Sequence, residues 1–582
     1  MFGVARALVA AQGPTFDPAD LRLATLAGND AAFDVAPPPP EASLPDLAGR
    51  CYETILSGQH RRASGSHYTP AAVADRLVAV ALDGLPRAST VCDPACGGGA
   101  FLLAAARTLH ATALARRQVV ERLLWGLDID PIAVAVSELA LALWSGTTPG
   151  DHLAVADALI SLDAGWAAAP AGGFGAVVGN PPFQSQLGRT TARAGATRTA
   201  LRSIYGDAAA AYADSAVLFL VAGARLARPG GRVVLVQPQS VLSSRDATGA
   251  RRAVLTMATL EGLWVAGERV FAAATLVCAP VLRARRGPAG RAERDDAGGG
   301  ASTIALWSGR DVVARPPVAV DDLGLHHWPT WSPLAAAAGG VPTVELEIGR
   351  GVVGDHATAT AGFRQQFYGL AKVAVERRHA DDSRFPRLVT CGLIDAGRCA
   401  WGERPTRFAR RAWSAPRVDL GTLAAGGGND GEALARWVTA RMVPKVLVAT
   451  QTKVIEAAVD VDGTWLPSTP VISVEAAPGA LWHLAAVLLA PPVSAWALRH
   501  YGSSALGANT IKLSARQVLG VPLPPRRPSW DAAATELSRL AAGACPRTRR
   551  THLLAVGAAM TAAYGCDEEV FAWWKARLPV ER

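Results

Sequence analysis

The sequence has no CxxC motif and no apolar run long enough to cross a bilayer. Its eight cysteines are scattered without a CxxC motif, which argues against a zinc cluster or a disulfide framework and points to a reducing cytoplasm. The longest apolar stretches are residues 216–224 and a run from Leu481 that His483 and two prolines interrupt. Neither reaches the ~18–20 apolar residues of a membrane helix, and no cleavable signal segment is recognisable. We expect a soluble cytoplasmic protein that binds neither a membrane nor a metal ion.

Charged residues are also scarce, at 18% of the chain, whereas apolar residues make up 50%. This composition is typical of packed globular domains and excludes a largely disordered chain. The length of 582 residues exceeds a single core, since even a doubly wound sheet reaches only ~250 residues, so we expect two large domains. The net charge of +9 suits a polyanionic partner such as nucleic acid, although Arg-rich proteins from GC-rich genomes share it.

Local patterns divide the chain into four parts. Residues 1–46 end in four prolines and form a lead-in segment, and residues 284–340 begin with an Arg-, Gly- and Asp-rich stretch typical of a linker. Between them, residues 47–283 alternate short apolar strands with amphipathic helices, which predicts a doubly wound, Rossmann-like α/β domain with a mostly parallel sheet. Residues 341–582 carry most of the tryptophans and are expected to form an α+β domain. The predicted elements of the α/β part are helices over 71–82 and 215–227 and from Pro131, and strands over 90–93, 125–129, 176–179, 232–237 and 275–282, with a turn at 229–231.

A glycine-rich turn, DPACGGGAFL at residues 93–102, lies between the first predicted strand and a helix. Glycine lets the chain turn tightly and lets the main chain approach a ligand without an intervening Cβ. Nicotinamide, flavin and nucleotide sites share this arrangement. The turn therefore predicts a cofactor site without identifying the cofactor.

Carboxylates follow the next two predicted strands. Asp128, at the end of the second strand, is placed to accept hydrogen bonds from the ribose hydroxyls of an adenosine cofactor. Asp130 directly precedes Pro131, which favours a role as the cap of the following helix. Asp157 follows a third strand and is placed to accept from the cofactor's adenine amino group, with a loop or capping role as the alternative.

The sequence Asn180-Pro181-Pro182-Phe183 follows the next strand and indicates the reaction. The N6 nitrogen of adenine is conjugated with the ring, so hydrogen-bond acceptors are needed to draw its lone pair out of the ring. The Asn180 side-chain carbonyl and the Pro181 main-chain carbonyl supply such a pair on a rigid turn, and Phe183 offers a face for an unstacked base. An isolated Asn-Pro-Pro is also a common turn, so its position after the two nucleotide-site patterns is what favours catalysis.

In this order, the motifs resemble those of gamma-class N6-adenine DNA methyltransferases, which include type I modification subunits and type IIG-like methylases. The resemblance covers about residues 47–283 and begins with Tyr52-Glu53 and the segment GSHYTP at 65–70. It implies S-adenosylmethionine as cofactor and double-stranded DNA as partner, with the target adenine flipped out of the duplex. It also implies a late motif at Val270-Phe271, whose aromatic ring would pack on that adenine; a buried core Phe is the alternative.

The resemblance assigns two sets of site residues in residues 47–283. Those that would bind the cofactor are Tyr68, Thr69, Pro70, Asp93, Pro94, Ala95, Cys96, Gly97, Gly99, Phe101, Asp128, Ile129 and Asp157. Those that would act on the target base are Asn180, Pro181, Pro182 and Phe183, with Phe183 and Phe271 stacking on it. Cys96 is expected to pack within the turn and not to act as a nucleophile.

Residues 341–582 are the expected target-recognition domain. The segment 404–417 interleaves arginines with Phe408 and Trp413, which suits phosphate contacts, although a solvated charged face has the same pattern. Segments around 445–453 and 509–512 loosely resemble the recognition regions of type IIG-like methylases. The candidate DNA contacts are Arg404, Arg407, Arg410, Arg411, Lys445, Lys453, Asn509 and Lys512.

Type IIG enzymes also carry a nuclease with a PD and (D/E)xK pattern. The first lysine of this chain is Lys372, so we expect no amino-terminal nuclease of that kind, and cleavage would require a separately encoded nuclease or defence-system subunit. The leading hypothesis is an adenine-specific, site-specific DNA methyltransferase in a restriction-modification or phage-defence context. The alternatives are an RNA or protein-glutamine methyltransferase with the same chemistry, or an inactive DNA-recognition subunit.

Overall fold

The computed structural model divides into two compact units, Met1–Gly339 and Gly340–Arg582. The residues that it describes are 2–12, 21–27, 43–55, 69–161, 166, 169–183, 195–209, 213–270, 275–285, 303–319, 330–347, 351–362, 364–376, 385–425, 429–502, 510–543 and 546–579. Tyr68, Phe271 and Asn509 lie outside the described residues.

A ten-stranded sheet forms the centre of the first unit. Its parallel part has the spatial order β3-β2-β1-β4-β5. These strands are β1 (Val91–Asp93), β2 (Leu124–Asp128), β3 (Leu153–Val155), β4 (Phe174–Gly179) and β5 (Ala227–Leu235). Successive residues of β1 enter different buried clusters, Val91 one and Cys92 the other, because side chains alternate along a strand. Both faces of the sheet are therefore covered, as predicted for a doubly wound fold.

Helices flank this sheet along the chain. They are α1 (Phe2–Gln12), α2 (Arg22–Ala27), α3 (Leu44–Ile55), α4 (Ala71–Leu82), α5 (Ala100–His110), α6 (Arg116–Leu123), α7 (Pro131–Ser145), α8 (Gly195–Tyr205), α9 (Ser215–Leu226), α10 (Thr248–Met257) and α11 (Ser332–Ala338). Helix α4 has the bounds predicted from its apolar periodicity, and α7 begins at Pro131 with the Asp130 side chain accepting from Ile132 N. The predicted turn at Pro229–Gly231 lies within β5, where the register with β4 shifts.

An antiparallel part extends the sheet beyond β5. Its strands are β6 (Gln237–Pro238), β7 (Ala258–Val265), β8 (Val277–Ala284), β9 (Thr303–Ser308) and β10 (Val313–Ala319). Strand β8 pairs with β5 and β7, β9 pairs in parallel with β7, and β10 closes this edge. The linker prediction for 284–340 is wrong for these residues, because Ile304 and Leu306 of β9 and Leu334 of α11 are buried in the domain core.

The amino-terminal residues also belong to this unit. Leu8 and Val9 of α1 and Leu21 and Leu23 near α2 are buried in the same cluster as α7 residues. The prediction that residues 1–46 are only a lead-in segment is therefore wrong for α1 and α2. Both helices are short, so their apolar residues form too short a pattern to predict a helix from the sequence.

The described residues of the second unit form two four-stranded sheets and two hairpins. The sheets have the orders β11-β22-β19-β20 and β12-β18-β13-β21, and the hairpins are β14-β15 and β16-β17. The strands are β11 (Ala357–Ala361), β12 (Ala374–Glu376), β13 (Arg387–Val389), β14 (Ile394–Asp395), β15 (Arg398–Cys399), β16 (Thr406–Phe408), β17 (Arg411–Trp413), β18 (Pro416–Val418), β19 (Lys445–Val448), β20 (Ala457–Asp460), β21 (Trp465–Pro467) and β22 (Ile472–Ala476).

Helices of the second unit are concentrated near its carboxyl end. They are α12 (Arg364–Val373), α13 (Leu420–Ala425), α14 (Asn429–Thr439), α15 (Leu481–Leu489), α16 (Pro491–Tyr501), α17 (Ala515–Leu519), α18 (Pro528–Ala541), α19 (Pro546–Tyr564) and α20 (Glu568–Arg577). Within the described residues, no single helix has the length and apolar composition to cross a membrane, while the pair Pro478–Leu489 and Pro491–Tyr501, bent by 61°, passes on those two criteria.

The spatial order of the parallel strands reverses between β1 and β4. The chain runs from β1 outward through β2 to β3, and then returns to the other side of β1 as β4. Ligands of open α/β sheets bind outside the carboxyl ends of the strands at such a switch point. The glycine turn after β1 and Asn180 after β4 therefore meet where a ligand crevice is expected.

Candidate active site

A cavity of about 640 Å³ lies at the carboxyl ends of β1, β2 and β4. Many of the predicted site residues line it: Thr69, Asp93, Pro94, Ala95, Cys96, Gly97, Phe101, Asp128, Ile129, Asp157, Asn180 and Pro182. Pro70, Gly99, Pro181 and Phe183 are not among the lining residues. The fold thus brings segments that are distant in sequence around one space.

The glycine turn is fixed to the second strand by Asp128. Asp128 Oδ2 accepts from Gly97 N at 2.9 Å, and its Oδ1 accepts from Asp130 N at 2.9 Å. Gly97 and Gly99 have φ of 51° and 83°, a left-handed region that side chains disfavour. On the other side, Gly97 O accepts from Ser137 Oγ of α7 at 2.8 Å. The turn is therefore held by two elements, the end of β2 and helix α7.

Asp128 retains the capacity to bind a ligand. The carboxylate has about four lone-pair positions, and main-chain N–H groups of Gly97, Ile129 and Asp130 are directed at it. Burial raises the pKa of Asp128 above its ordinary value, opposed by the hydrogen bonds from Asp130 and Gly97. A neighbouring apolar side chain, Ile129, is 70% exposed although it lines the cavity. A carboxylate beside an uncovered apolar face suits a nucleoside.

Asp93 links the first strand to the turn that follows β4. Its carboxyl is buried, and Oδ1 accepts from Ala95 N at 3.0 Å. Burial raises the pKa of Asp93 to about 8, with the Asp128 charge adding to the effect and the Ala95 hydrogen bond opposing it. A Cβ on Gly179 would lie 2.4 Å from Asp93 Oδ1, so the residue before Asn180 must be glycine for the two strand ends to pack in this way.

Asn180 is oriented by Thr69. The Asn180 Nδ2 atom donates to Thr69 Oγ1 at 3.1 Å across 111 residues of sequence, and Thr69 is buried. This contact places the amide nitrogen toward Thr69 and the side-chain oxygen on the opposite side of the group. Phe183, predicted to stack on the target base, is partly buried and packs against the domain core.

Asp157 has the local contacts of a capping residue and also lines the cavity. Its Oδ1 accepts from Leu159 N at 2.9 Å, and its main-chain oxygen accepts from Ile160 N and Ser161 N.

Cys96 is buried, and burial raises the pKa of its thiol well above its ordinary value. A neutral thiol of this kind is a packing group and not a nucleophile.

Several cavity residues were not predicted from the sequence. They include Pro45, Asp46, Gly49 and Tyr52 of α3, Asp130 and Ile132 at the start of α7, and Ser215 and Phe219 of α9. Tyr52 belonged to a family-like pattern but had no assigned role. The α9 residues lie in an apolar helix whose pattern indicates burial and gives no signal for a ligand. Among the described residues, no group of three or more His, Cys, Asp or Glu side chains is arranged to hold a metal ion.

Two basic candidates of the second unit are engaged within the protein. The side chain of Lys445 is 0% exposed, and Nζ donates to Asp460 Oδ2 at 2.5 Å and to Val443 O at 3.0 Å. The prediction of Lys445 as a DNA contact is therefore wrong, since its ammonium group is inside the β19–β20 pair. Arg404 is partly exposed and bonds Asp395 Oδ1 at 2.8 Å and Gly392 O.

The other described candidates are on the surface. Arg407, Arg410 and Arg411 are exposed on the β16–β17 hairpin, whose turn residues Ala409 and Arg410 both have positive φ, as two-residue hairpin turns require. Buried Phe408 and Trp413 anchor the hairpin. A bridge between Thr452 and Ile511 brings the exposed side chains of Lys453 and Lys512 to neighbouring positions.

A doubly wound sheet with a glycine turn and an Asn-Pro-Pro-Phe turn at its switch point defines a Rossmann-like methyltransferase domain. Residues 43–290 match the family described as N-6 DNA Methylase. The Type II methyltransferase M.MamI of Microbacterium ammoniaphilum is 34% identical over 152 residues, which cover 24% of this chain and 40% of that protein. The matched segment thus spans less than half of the curated relative.

The fold is also similar to that of a solved restriction-modification enzyme. The Type IIL enzyme MmeI, whose structure was determined in complex with DNA, superimposes with a TM-score of 0.58 over 91% of this chain and 82% of that chain. The sequences are 13% identical in this comparison, so the similarity concerns the fold. It extends over both units of the chain.

Proposed function

We propose that this protein is a site-specific DNA methyltransferase that transfers a methyl group from S-adenosylmethionine to N6 of adenine in a restriction-modification setting. The observation that carries the proposal is the joining of Asp128, the glycine turn and Asn180 around one cavity at the sheet's switch point. The match of residues 43–290 to the N-6 DNA Methylase family supports it. One cavity therefore holds both the groups that would bind the nucleoside of the cofactor and the group that would bind the amino group of the base.

The cavity residues fit the cofactor. Asp128 offers carboxylate oxygens to ribose hydroxyls, Ile129 offers an uncovered apolar face to the adenine ring, and the Cβ-free turn at Gly97 admits close approach of the main chain. A volume of about 640 Å³ is within the usual range of small-molecule sites. When bound, S-adenosylmethionine supplies a methyl group already activated by a sulfonium leaving group.

The protein's part of the reaction is to position the amino group of the base. The Asn180 side-chain oxygen and the Pro181 main-chain oxygen accept the two N6 hydrogens, which directs the N6 lone pair toward the methyl carbon. The bound cofactor would supply the methyl group with sulfur as the leaving group, so that an N6–C bond would replace the C–S bond, the C–S electron pair would stay on sulfur, and S-adenosylhomocysteine would be the product. The extra N6 proton leaves to solvent. Alignment and exclusion of water account for the rate enhancement.

The second unit would select the DNA site. The β16–β17 hairpin presents Arg407, Arg410 and Arg411, and a second basic position is formed by Lys453 and Lys512. Guanidinium and ammonium groups of this kind bind phosphates and orient the protein on duplex DNA. The solved MmeI complex contains DNA, which supports a DNA partner for this fold.

The test is expression of the intact chain and of Asn180→Ala in a host without adenine methylation, followed by single-molecule sequencing of host DNA. We expect N6-methyladenine at one short motif with the intact chain and none with Asn180→Ala. Binding of S-adenosylhomocysteine by purified Asn180→Ala serves as the control that the cavity is intact. A folded intact chain that binds this ligand but leaves host DNA unmodified would contradict DNA methylation as its independent activity.

A further inference from the structure

We propose that helix α3, which precedes the cofactor motifs in the sequence, is a functional wall of the cofactor cavity and that its Tyr52 is a positioning residue for cofactor binding. The inference rests on the proposed function, because it concerns the same cavity. Pro45, Asp46, Gly49 and Tyr52 all line that cavity. Three separate contacts fix this helix to the elements that carry the motifs.

The first contact is a chain of hydrogen bonds from Tyr52 to Asp128. The Tyr52 hydroxyl donates to Asp130 Oδ2 at 2.6 Å, and Asp130 Oδ1 accepts from Ile132 N at 2.9 Å at the start of α7. The main-chain nitrogen of Asp130 in turn donates to Asp128 Oδ1 at 2.9 Å. Tyr52 is buried. Tyr52 therefore fixes the side chain of Asp130, and the main-chain N–H of Asp130 fixes the carboxylate of Asp128, the predicted ribose ligand.

The second contact is a close approach of two glycines. A Cβ on Gly49 would lie 2.8 Å from Gly98 O, and a Cβ on Gly98 would lie 2.8 Å from Gly49 Cα. Main chain packs directly on main chain here, so α3 supports the outer side of the glycine turn. Any side chain at either position would separate the helix from the turn.

The third contact is ionic and joins α3 to α5. Arg107 Nη2 of α5 donates to both carboxylate oxygens of Asp46, at 2.7 and 2.6 Å, and Arg107 Nη1 lies 3.3 Å from Asp75 Oδ1 of α4. Helix α5 begins directly after the glycine turn. Helix α3 is therefore attached to the turn, to the helix after it and to the start of α7, and the cavity has its full wall only when α3 is docked.

The test measures binding of S-adenosylhomocysteine to the full chain by isothermal titration calorimetry. Tyr52→Phe keeps the buried ring and removes only the hydroxyl, and we expect about 10-fold weaker binding, the effect of one lost hydrogen bond to a charged group. The matched control is Tyr564→Phe in the second unit, which removes a hydroxyl that donates to Pro522 O at 2.7 Å. It should bind within about twofold of the unaltered chain.

A double-mutant cycle identifies the route of the effect. Asp130→Ser keeps a helix-capping oxygen but is too short to reach Tyr52. If Tyr52 acts through Asp130, the two substitutions together should weaken binding no more than the stronger of the two alone. In methylation assays, Tyr52→Phe should raise KM for S-adenosylmethionine and leave kcat at saturation within about twofold. Gly49→Ala, checked for folding by circular dichroism, should weaken binding further.

The outcomes separate this inference from the proposed function. If the unaltered chain binds S-adenosylhomocysteine and Tyr52→Phe binds it equally well, the role of Tyr52 is refuted while the proposed function stands. Weakening by Tyr52→Phe that adds fully to that of Asp130→Ser overturns the route through Asp130. If the unaltered, folded chain does not bind the ligand, the proposed function itself fails.

Discussion

Asn180 Nδ2 donates a hydrogen bond to Thr69 Oγ1 at 3.1 Å. This contact joins the turn that would bind the target base to the segment that precedes α4. An asparagine amide can rotate by half a turn with little change in shape, and only its hydrogen-bond partners decide which atom faces a ligand. In this orientation Thr69 Oγ1 accepts from the amide nitrogen, and the Asn180 oxygen, the acceptor that an amino group needs, lies on the other side of the amide.

Replacement of Thr69 should slow methylation through its contact with Asn180. Thr69→Val removes the hydroxyl at nearly constant shape, and we expect kcat for DNA methylation to fall about 3–10-fold, the value of one net hydrogen bond. Thr69→Ser should restore most of the rate because it keeps the hydroxyl. Steady-state methylation with a saturating DNA substrate measures both. Equal rates for Val and Ser variants would show that the contact does not orient Asn180.

Gly179 should tolerate no side chain. In Gly179→Ala the Cβ would lie 2.4 Å from Asp93 Oδ1, so β4 or the Asp93 carboxyl must shift, and we expect the first unit to lose about 1–3 kcal/mol of stability. Gly195→Ala is the control, since a Cβ there meets nothing within 4 Å. Thermal denaturation of both variants checks this. The close-packing interpretation would fail if the two behaved alike.

The buried Asp93 carboxyl should make stability fall with rising pH. Its pKa is raised to about 8 in the folded chain by burial, whereas the unfolded carboxyl titrates near ~3.9. Between these two pH values the folded state therefore holds one more proton than the unfolded state. The stability that the protonated carboxyl contributes is fully present below pH ~4 and is lost as the pH rises to about 8. Asp93→Asn resembles the neutral form. The difference between its free energy of unfolding and that of the unaltered chain should therefore change in its favour by up to about 1.4 kcal/mol per pH unit as the pH rises.

The measurement for Asp93 is denaturant unfolding of both proteins from pH 5 to 8. The difference between the two curves isolates Asp93 from other buried carboxyls, because Asp128 and Glu138 are present in both. A constant difference across this range would mean that Asp93 is already ionised in the folded protein.

Lys445 should matter for stability. Its ammonium group is buried against Asp460, so Lys445→Met leaves a buried carboxylate without its cation. Removal of one partner of such a pair costs about 3–5 kcal/mol, and we expect a loss of that order in the second unit by chemical denaturation. Hydrogen bonds from Thr464 N and Trp465 N to Asp460 would retain part of the stabilisation. A loss below about 0.5 kcal/mol would contradict this assignment.

Lys453→Met, the same substitution at an exposed position, should affect DNA binding and not stability. Its side chain is exposed, and Lys453→Met should leave stability within about 0.5 kcal/mol. DNA binding should weaken for all sequences, and the dependence of log affinity on log salt should become shallower by about 1. Fluorescence anisotropy with duplex DNA at several salt concentrations measures this. An unchanged salt slope would remove Lys453 from the DNA surface.

The amino-acid sequence determined the local features of this protein. Helix α4 and the start of α7 at Pro131 were predicted at the observed residues, because apolar periodicity, proline at the first helical position and an aspartate cap are signals within a few residues. The glycine turn and Asn180 were recognised for the same reason, since each sits at a short strand end. Their meeting point followed from the parallel order of strands.

Only the tertiary structure decided the contacts between distant segments. Tyr52 and Asp130 are 78 residues apart and Thr69 and Asn180 are 111 apart, and no local pattern encodes such a pairing. Lys445 and Lys453 are both lysines followed by valine, yet Lys445 is buried in the β19–β20 pair and Lys453 is exposed. Strand β9 pairs with β7 and β10 with β9, an extension of the sheet that the low-complexity stretch before these strands does not indicate. Burial and partner choice depend on where the chain returns in space, and the packed fold alone sets that.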